Sequence, residues 1–272
     1  MVALIDLHFM QLALAAGVMV GFLASYYGVF VVQRGLGFMG SGLAHAAFGG
    51  VALGLLLGAQ PLWIAVPFTV FVAIAITWVR ERTKLGSDTV IGIFFAVSMA
   101  LGIVFLSLTE GYTRDAFTYL FGSILAVTST DLWVIGFVVL VAILLHPLWG
   151  RWAYATFDRE MAAADRVPVR RDDYLLSVLI AVSVVTSVKL VGVVLVSAFL
   201  VIPAATARLP ARRFSTMAWL SVEIGVATAF AGLLASYWLN IPSGACIVLT
   251  QGVLFLICLL ASKFLFPAKA RP

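Results

Sequence analysis

Two ionisable side chains stand inside apolar stretches of this chain in places where they could meet a cation. His45 closes the run Gly40-Ser-Gly-Leu-Ala-His45, and Glu223 interrupts the apolar segment that begins after Arg213. A charged group in a bilayer is expensive, so such residues are functional candidates by default. One imidazole nitrogen and one carboxylate oxygen suit a divalent transition metal held briefly in transit. The Ser41 hydroxyl, four positions before His45, adds a weaker, uncharged oxygen. At 1.5 Å per residue, His45 lies about 6 Å and Glu223 about 12 Å into their helices, a comparable depth. A plainer account is that each bonds a neighbouring backbone carbonyl.

The other polar residues point to structure rather than chemistry. Thr128 and Asp131 have capping-box spacing, and Ser87 with Asp88 opens another helix in the same way. His8 and His146 are expected at the interface, and Lys189 snorkels from a helix end. Gly35-Leu-Gly-Phe-Met-Gly40 matches the letters of a dinucleotide fingerprint, but no βαβ pattern surrounds it. Cys246 and Cys258 lie twelve positions apart on one predicted helix, about 18 Å along its axis, too far for a disulfide within that helix. The chain has no Gly-x-x-x-x-Gly-Lys-Ser/Thr phosphate loop, so pumping on ATP requires a separate ATPase subunit.

The elements that position these residues follow from composition. Of 272 residues, 63% are hydrophobic and 11% charged, against roughly 25% charged in soluble domains. Apolar runs of about 17–25 residues recur along the chain, long enough to cross a hydrocarbon core of ~30 Å. Segments such as Leu132–Leu145 are apolar all round, which excludes the alternation of a transmembrane β-barrel. The fold class is therefore all-α and polytopic, with about eight or nine transmembrane helices. We place crossings at roughly 8–32, 42–59, 62–79, 89–108, 131–149, 173–188, 191–207, 215–238 and 244–262. The stretch 115–130 reads as a re-entrant or interfacial piece. Met1–Leu7 carries Asp6 and no positive charge, which argues against a cleavable leader.

Loop charge orients the bundle. Basic residues cluster at Arg80–Lys84, Arg151–Arg171, Arg208–Arg213 and Lys263–Arg271, whereas 58–62 and 239–243 carry none. The positive-inside rule places the basic loops and the C-terminus in the cytoplasm. The net charge of +5 is thus a topology signal and gives no reason to expect nucleic acid. Small residues at Ala46, Gly50, Gly54 and Gly58, and at Gly17, Gly21 and Ser25, let helices approach closely. Pro203 should kink its helix. The charged loop 151–173 is the longest soluble piece between two spans and the best docking surface for an ATPase.

Longer runs resemble the permeases of the bacterial zinc, manganese and iron ABC importers. They are Val32-Gln-Arg-Gly-Leu-Gly-Phe-Met-Gly-Ser-Gly-Leu-Ala-His45 with Gly49–Gly54, Val90-Ile-Gly-Ile-Phe, Leu120-Phe-Gly-Ser-Ile-Leu and Thr128-Ser-Thr-Asp131. Phe157-Asp158 with Glu160, Ala162 and Pro168, Val191–Ala198, Ile202-Pro-Ala-Ala-Thr-Ala-Arg208 and Ile241-Pro-Ser-Gly-Ala245 continue the match in order. The resemblance implies a type II ABC importer-like permease spanning 1–272 as a single transmembrane domain, with an ATPase-coupling loop at about 151–173. Its cargo would be a divalent metal (zinc, manganese or iron), with no permanently bound cofactor. Its partners would be a cytoplasmic ABC ATPase subunit, a second permease copy and an extracytoplasmic metal-binding protein, in the bacterial inner membrane. Phe157, Asp158, Glu160, Pro168 and Arg208 match positions expected to meet the ATPase, and His45 matches the family's motif histidine.

The chain departs from the family pattern Gly-Asp-x-x-Ser-His, with Ser41 in place of the Asp and Ala44 in place of the Ser; Arg159 and Arg166 replace a common Pro and Gly. A hydroxyl holds a cation less firmly than a carboxylate, and Glu223 could compensate. Three other readings stay open on the residues alone. An importer of metal chelates or corrinoids would share the architecture. A stand-alone ion-gradient transporter would want several intramembrane carboxylates and internal repeats. A membrane protease would need a base near Ser243, but His45 is placed toward the opposite face.

Overall fold

A computed structural model describes residues 8–109, 119–123 and 126–265, all helix and connecting turn. In chain order the helices are α1 (His8–Gln33), α2 (Met39–Leu56), α3 (Pro61–Arg82), α4 (Ser87–Ser107), α5 (Ser129–Leu144), α6 (Trp149–Phe157), α7 (Arg159–Ala164), α8 (Val169–Val191), α9 (Val193–Arg208), α10 (Phe214–Leu239) and α11 (Ser243–Leu265). Seven of them are long and apolar enough to cross a membrane, and the count is eight when α5 and its continuation to Phe157, bent by 45°, are taken as one span. Pro147 sits in a 3₁₀ turn at that bend, where it cannot supply a backbone donor. Part of the stretch 115–130, together with Lys269 and Arg271, lies outside the described residues.

The crossing expected at 191–207 is present as α9 but is not full length. Its 16 residues span about 24 Å, short of a hydrocarbon core of ~30 Å. The reason lies at its start. The chain passes from α8 to α9 through Gly192 alone, at φ 92°, a region where a side chain is strained. Segment 119–123 covers this turn: the Ser123 amide donates to the Lys189 carbonyl at 3.2 Å. A Cβ on Gly192 would fall 2.5 Å from the Phe121 carbonyl carbon. Protein, rather than a further helical turn, fills that end of the bundle.

Helix α1 packs on α10, α9, α8 and α5, while α2 packs on α3, α4, α9 and α8. The small residues act as packing surfaces. Gly21 lies against the Gly225 backbone, and a Cβ at Gly50 would come within 2.6 Å of the Ala65 Cα. Gly58 falls beyond the end of α2 at φ 63°, where it turns the chain toward α3. Helix α3 exposes Trp63, Phe71, Ile74 and Trp78 along one stripe. Its two tryptophans are about 22 Å apart along the axis, the arrangement of residues anchored at two interfaces.

Candidate metal pathway and coupling face

His45 sits near the start of α2, half-buried, with its Nδ1 2.9 Å from the Ser41 carbonyl oxygen one turn earlier. A carbonyl only accepts, so Nδ1 carries the proton and Nε2 keeps a free lone pair. That tautomer is the one a metal ligand needs, and the backbone bond fixes the ring orientation. The ring also lies against Phe95 of α4, with centroids 4.2 Å apart. Ser41 is half-buried on the same face of α2. The plainer account of His45, a bond to a backbone carbonyl, thus holds for one ring nitrogen and leaves the other available.

Glu223 lies elsewhere. It is exposed on α10, in a stripe with Trp219 and Phe230, and makes no hydrogen bond or ion pair among the described residues. Trp219 and Val222 beside it line a groove of about 460 Å³ shared with Tyr26 of α1 and His146 at the α5 bend. Helices α2 and α10 share no substantial interface. One chain therefore does not bring His45 and Glu223 together. Axial depth is readable from sequence, but the azimuth of a helix in a bundle depends on what it packs against. Among the described residues, no three His, Cys, Asp or Glu side chains gather in a cation-holding group.

The residues expected to meet the ATPase lie at the end of the bundle that carries the basic loops. Phe157 ends α6, is 61% exposed, and stands edge-on to Phe214 at the start of α10, with ring centroids 5.4 Å apart. Asp158 caps α7 by accepting from the Met161 amide at 2.8 Å. Glu160 is exposed in the first turn of α7, Pro168 precedes α8, and Arg208 is the exposed last residue of α9. Phe157 and Met161 thus present exposed apolar surface beside the Asp158 and Glu160 carboxylates.

Sequence reasoning missed the ion pairs that fix this patch to the transmembrane helices. Arg34, just beyond α1, donates to Asp173 of α8 at 2.7 Å, to the Thr156 hydroxyl at 2.9 Å and to the Trp152 carbonyl at 3.3 Å. Arg159 of α7 pairs with the other oxygen of Asp173. Arg151 grips Asp172 through one nitrogen at 2.7 and 3.0 Å, and Arg170 pairs with Glu81 of α3 at 2.8 Å. These pairs bring loops far apart in sequence to one end of the bundle. The available signal was the adjacent acids Asp172 and Asp173 within a basic loop. At the opposite end of α8, Lys189 does not merely snorkel: it pairs with Asp131 at 2.6 Å. Asp131 also completes the expected capping box with Thr128. Ser243 donates to the Leu190 carbonyl at 2.9 Å, which gives that hydroxyl a structural role.

Residues 6–262 match the model of the ABC 3 transport family. The chain belongs to that family. The manganese import system permease protein ScaB of Streptococcus gordonii is 37% identical over 93% of this chain and 91% of its own length. The high-affinity zinc uptake system membrane protein ZnuB of Haemophilus influenzae is 32% identical over 91% and 95%. Among solved structures, PsaBC from Streptococcus pneumoniae in complex with Fab superposes with a TM-score of 0.85 at 36% identity, covering 98% of this chain and 97% of that one. An inward-facing metal-chelate type ABC transporter shares the fold at 17% identity with a TM-score of 0.72. The all-helical permease fold and the multi-pass membrane character follow together from these likenesses and from the spans.

Proposed function

We propose that this chain, over 1–272, is the transmembrane permease of an ATP-binding-cassette importer that carries a divalent transition metal into the cytoplasm. The observation that carries the reading is continuous similarity, over more than nine-tenths of the chain, to proteins named as manganese and zinc import permeases. Zinc, manganese and iron are the candidate cargoes. The partners are a cytoplasmic ATPase, a second permease copy and an extracytoplasmic metal-binding protein, in the bacterial inner membrane.

Within this reading His45 is a transient ligand through Nε2, assisted by the Ser41 hydroxyl. One nitrogen and a weak oxygen hold a cation loosely, which suits transit better than a closed four-ligand cage. Glu223 acts in the assembled complex: a carboxylate left bare against acyl chains costs several kcal/mol, so the exposed face of α10 meets protein or water there. Phe157, Asp158, Glu160, Pro168 and Arg208 form the surface within 151–173 and beside it that receives the ATPase.

The test is metal uptake by the reconstituted permease–ATPase complex supplied with Mn²⁺, Zn²⁺ or Fe²⁺. ATP-dependent uptake of one of these, lost in His45→Ala with hydrolysis intact, supports the reading. Uptake unaffected by His45→Ala and Glu223→Gln makes both residues packing elements, and transport without the ATPase refutes the importer assignment. For the coupling surface Glu160→Lys is the cleaner reversal, because Asp158→Lys also removes the α7 cap. We expect hydrolysis without transport in Glu160→Lys; normal coupling would remove that surface from the reading.

A further inference from the structure

We propose that the arginine-lined cavity at the basic end of the bundle binds a phosphate-bearing anion, supplied by an inner-leaflet phospholipid headgroup or by a free phosphate compound. The cavity has a volume of about 850 Å³ and lies between the inner ends of α1, α3, α6 and α8. Its wall carries five guanidinium groups but two carboxylates. Both carboxylates are already engaged. Asp173 holds Arg34 and Arg159, and Glu81 holds Arg170 and the Tyr174 hydroxyl.

That leaves Arg80 and Arg82 without a carboxylate among the described residues. Arg80 donates its Nε to the Ser87 hydroxyl at 3.1 Å, so its terminal nitrogens remain for a ligand. Arg82 also lines the cavity, and its guanidinium carbon lies 5.4 Å from the centroid of the Trp78 ring, a cation–π contact. Planar guanidinium forks pair with phosphate oxygens through two parallel hydrogen bonds, which a compact ammonium cannot do.

Two more features define the ligand. Glu81 Oε1 is buried without a hydrogen-bond partner, and so offers an acceptor to a hydroxyl next to the phosphate. Phe30, Met39 and Leu176 close the floor of the cavity from the buried core. The cavity therefore fits an anion that is large and hydroxylated, such as a phosphoglycerol headgroup. A surplus of positive charge disfavours passage of a divalent cation by this route. Because Thr156 and Arg159 also line the cavity, an occupant would tie α3 to the segment that leads into α7.

The experiment titrates the delipidated full chain in neutral detergent, by native mass spectrometry, with phosphatidylglycerol, phosphatidylcholine, glycerol 3-phosphate and inorganic phosphate. We expect phosphatidylglycerol to bind and phosphatidylcholine to bind at least tenfold less. Arg82→Gln and Arg80→Gln should each weaken binding about tenfold, as loss of a charge-assisted hydrogen bond predicts, while Arg80→Lys retains part of it. Arg82 is exposed on α3, so its variant tests the site even where Arg80→Gln does not fold. Glycerol 3-phosphate or inorganic phosphate competing with the lipid at equal affinity would name the free compound as the ligand. Equal binding of the two lipids, unchanged in the variants and with no binding of the phosphate compounds, would overturn the proposal.

Discussion

Arg34→Met tests whether the patch at α6 and α7 is fixed to the transmembrane helices by the ion pairs. The native side chain is 15% exposed, and the Asp173 side chain it bonds is 11% exposed. Its contact with Asp173 is a charge-assisted hydrogen bond, worth about 1.5–3 kcal/mol net, and its contact with Thr156 adds about 1 kcal/mol. The bond to the Trp152 carbonyl, at 3.3 Å, is long and adds little. Asp173 keeps Arg159, so the substitution does not leave a bare buried carboxylate, and the penalty of about 3–5 kcal/mol for stranding a charge does not apply. We therefore expect a loss of about 2.5–4 kcal/mol. Arg34→Met and Asp173→Asn should show a coupling energy of about 1–2 kcal/mol. The measurement is a double-mutant cycle by sodium dodecyl sulfate unfolding in mixed micelles, with metal uptake per ATP hydrolysed read in the assembled complex. Additivity within about 0.5 kcal/mol would show that the contact carries no energy. Unchanged transport stoichiometry in Arg34→Met would show that the contact does not couple the α6–α7 patch to α1 and α8.

Gly50→Val should cost about 1–3 kcal/mol in the same unfolding assay, because a Cβ there meets the Ala65 Cα at 2.6 Å and the two helices must part. Gly92→Ala, with nothing within 4 Å of the added carbon, should stabilise α4 by about 1 kcal/mol. At the opposite end of the bundle, Asp131→Ala should destabilise more than Lys189→Met by about 1 kcal/mol, since it removes the Asp131 half of the α5 capping box, its acceptance from the Thr128 amide, as well as the ion pair. Equal losses in those two variants would mean that the cap contributes nothing.

Much of the helical layout was legible because hydropathy over about 20 residues is a one-dimensional property. Helix α4 was expected at roughly 89–108 and found at Ser87–Ser107, and the Thr128–Asp131 cap was read from spacing alone. Helix α9 shows where that reasoning ends. Its residues are as apolar as those of a span, and its shortness depends on Gly192 being covered by segment 119–123, a contact between residues about 70 apart. The candidate site divides in the same way. A histidine on a glycine-rich helix is visible in sequence, but its tautomer is set by a bond to Ser41 of known length.

Residue type along the chain was enough for the apolar spans, the helical class and the family motifs, because each is a one-dimensional property. The tertiary structure decided which side chains meet. Arg34 and Asp173 are 139 positions apart and bonded, whereas His45 and Glu223, expected at similar depth, stand on helices without a substantial shared interface. The physical reason is rotational. Every residue on a helix has a fixed height and a fixed angle relative to its neighbours, but the direction in which the whole helix faces follows from the fit of side chains across interfaces.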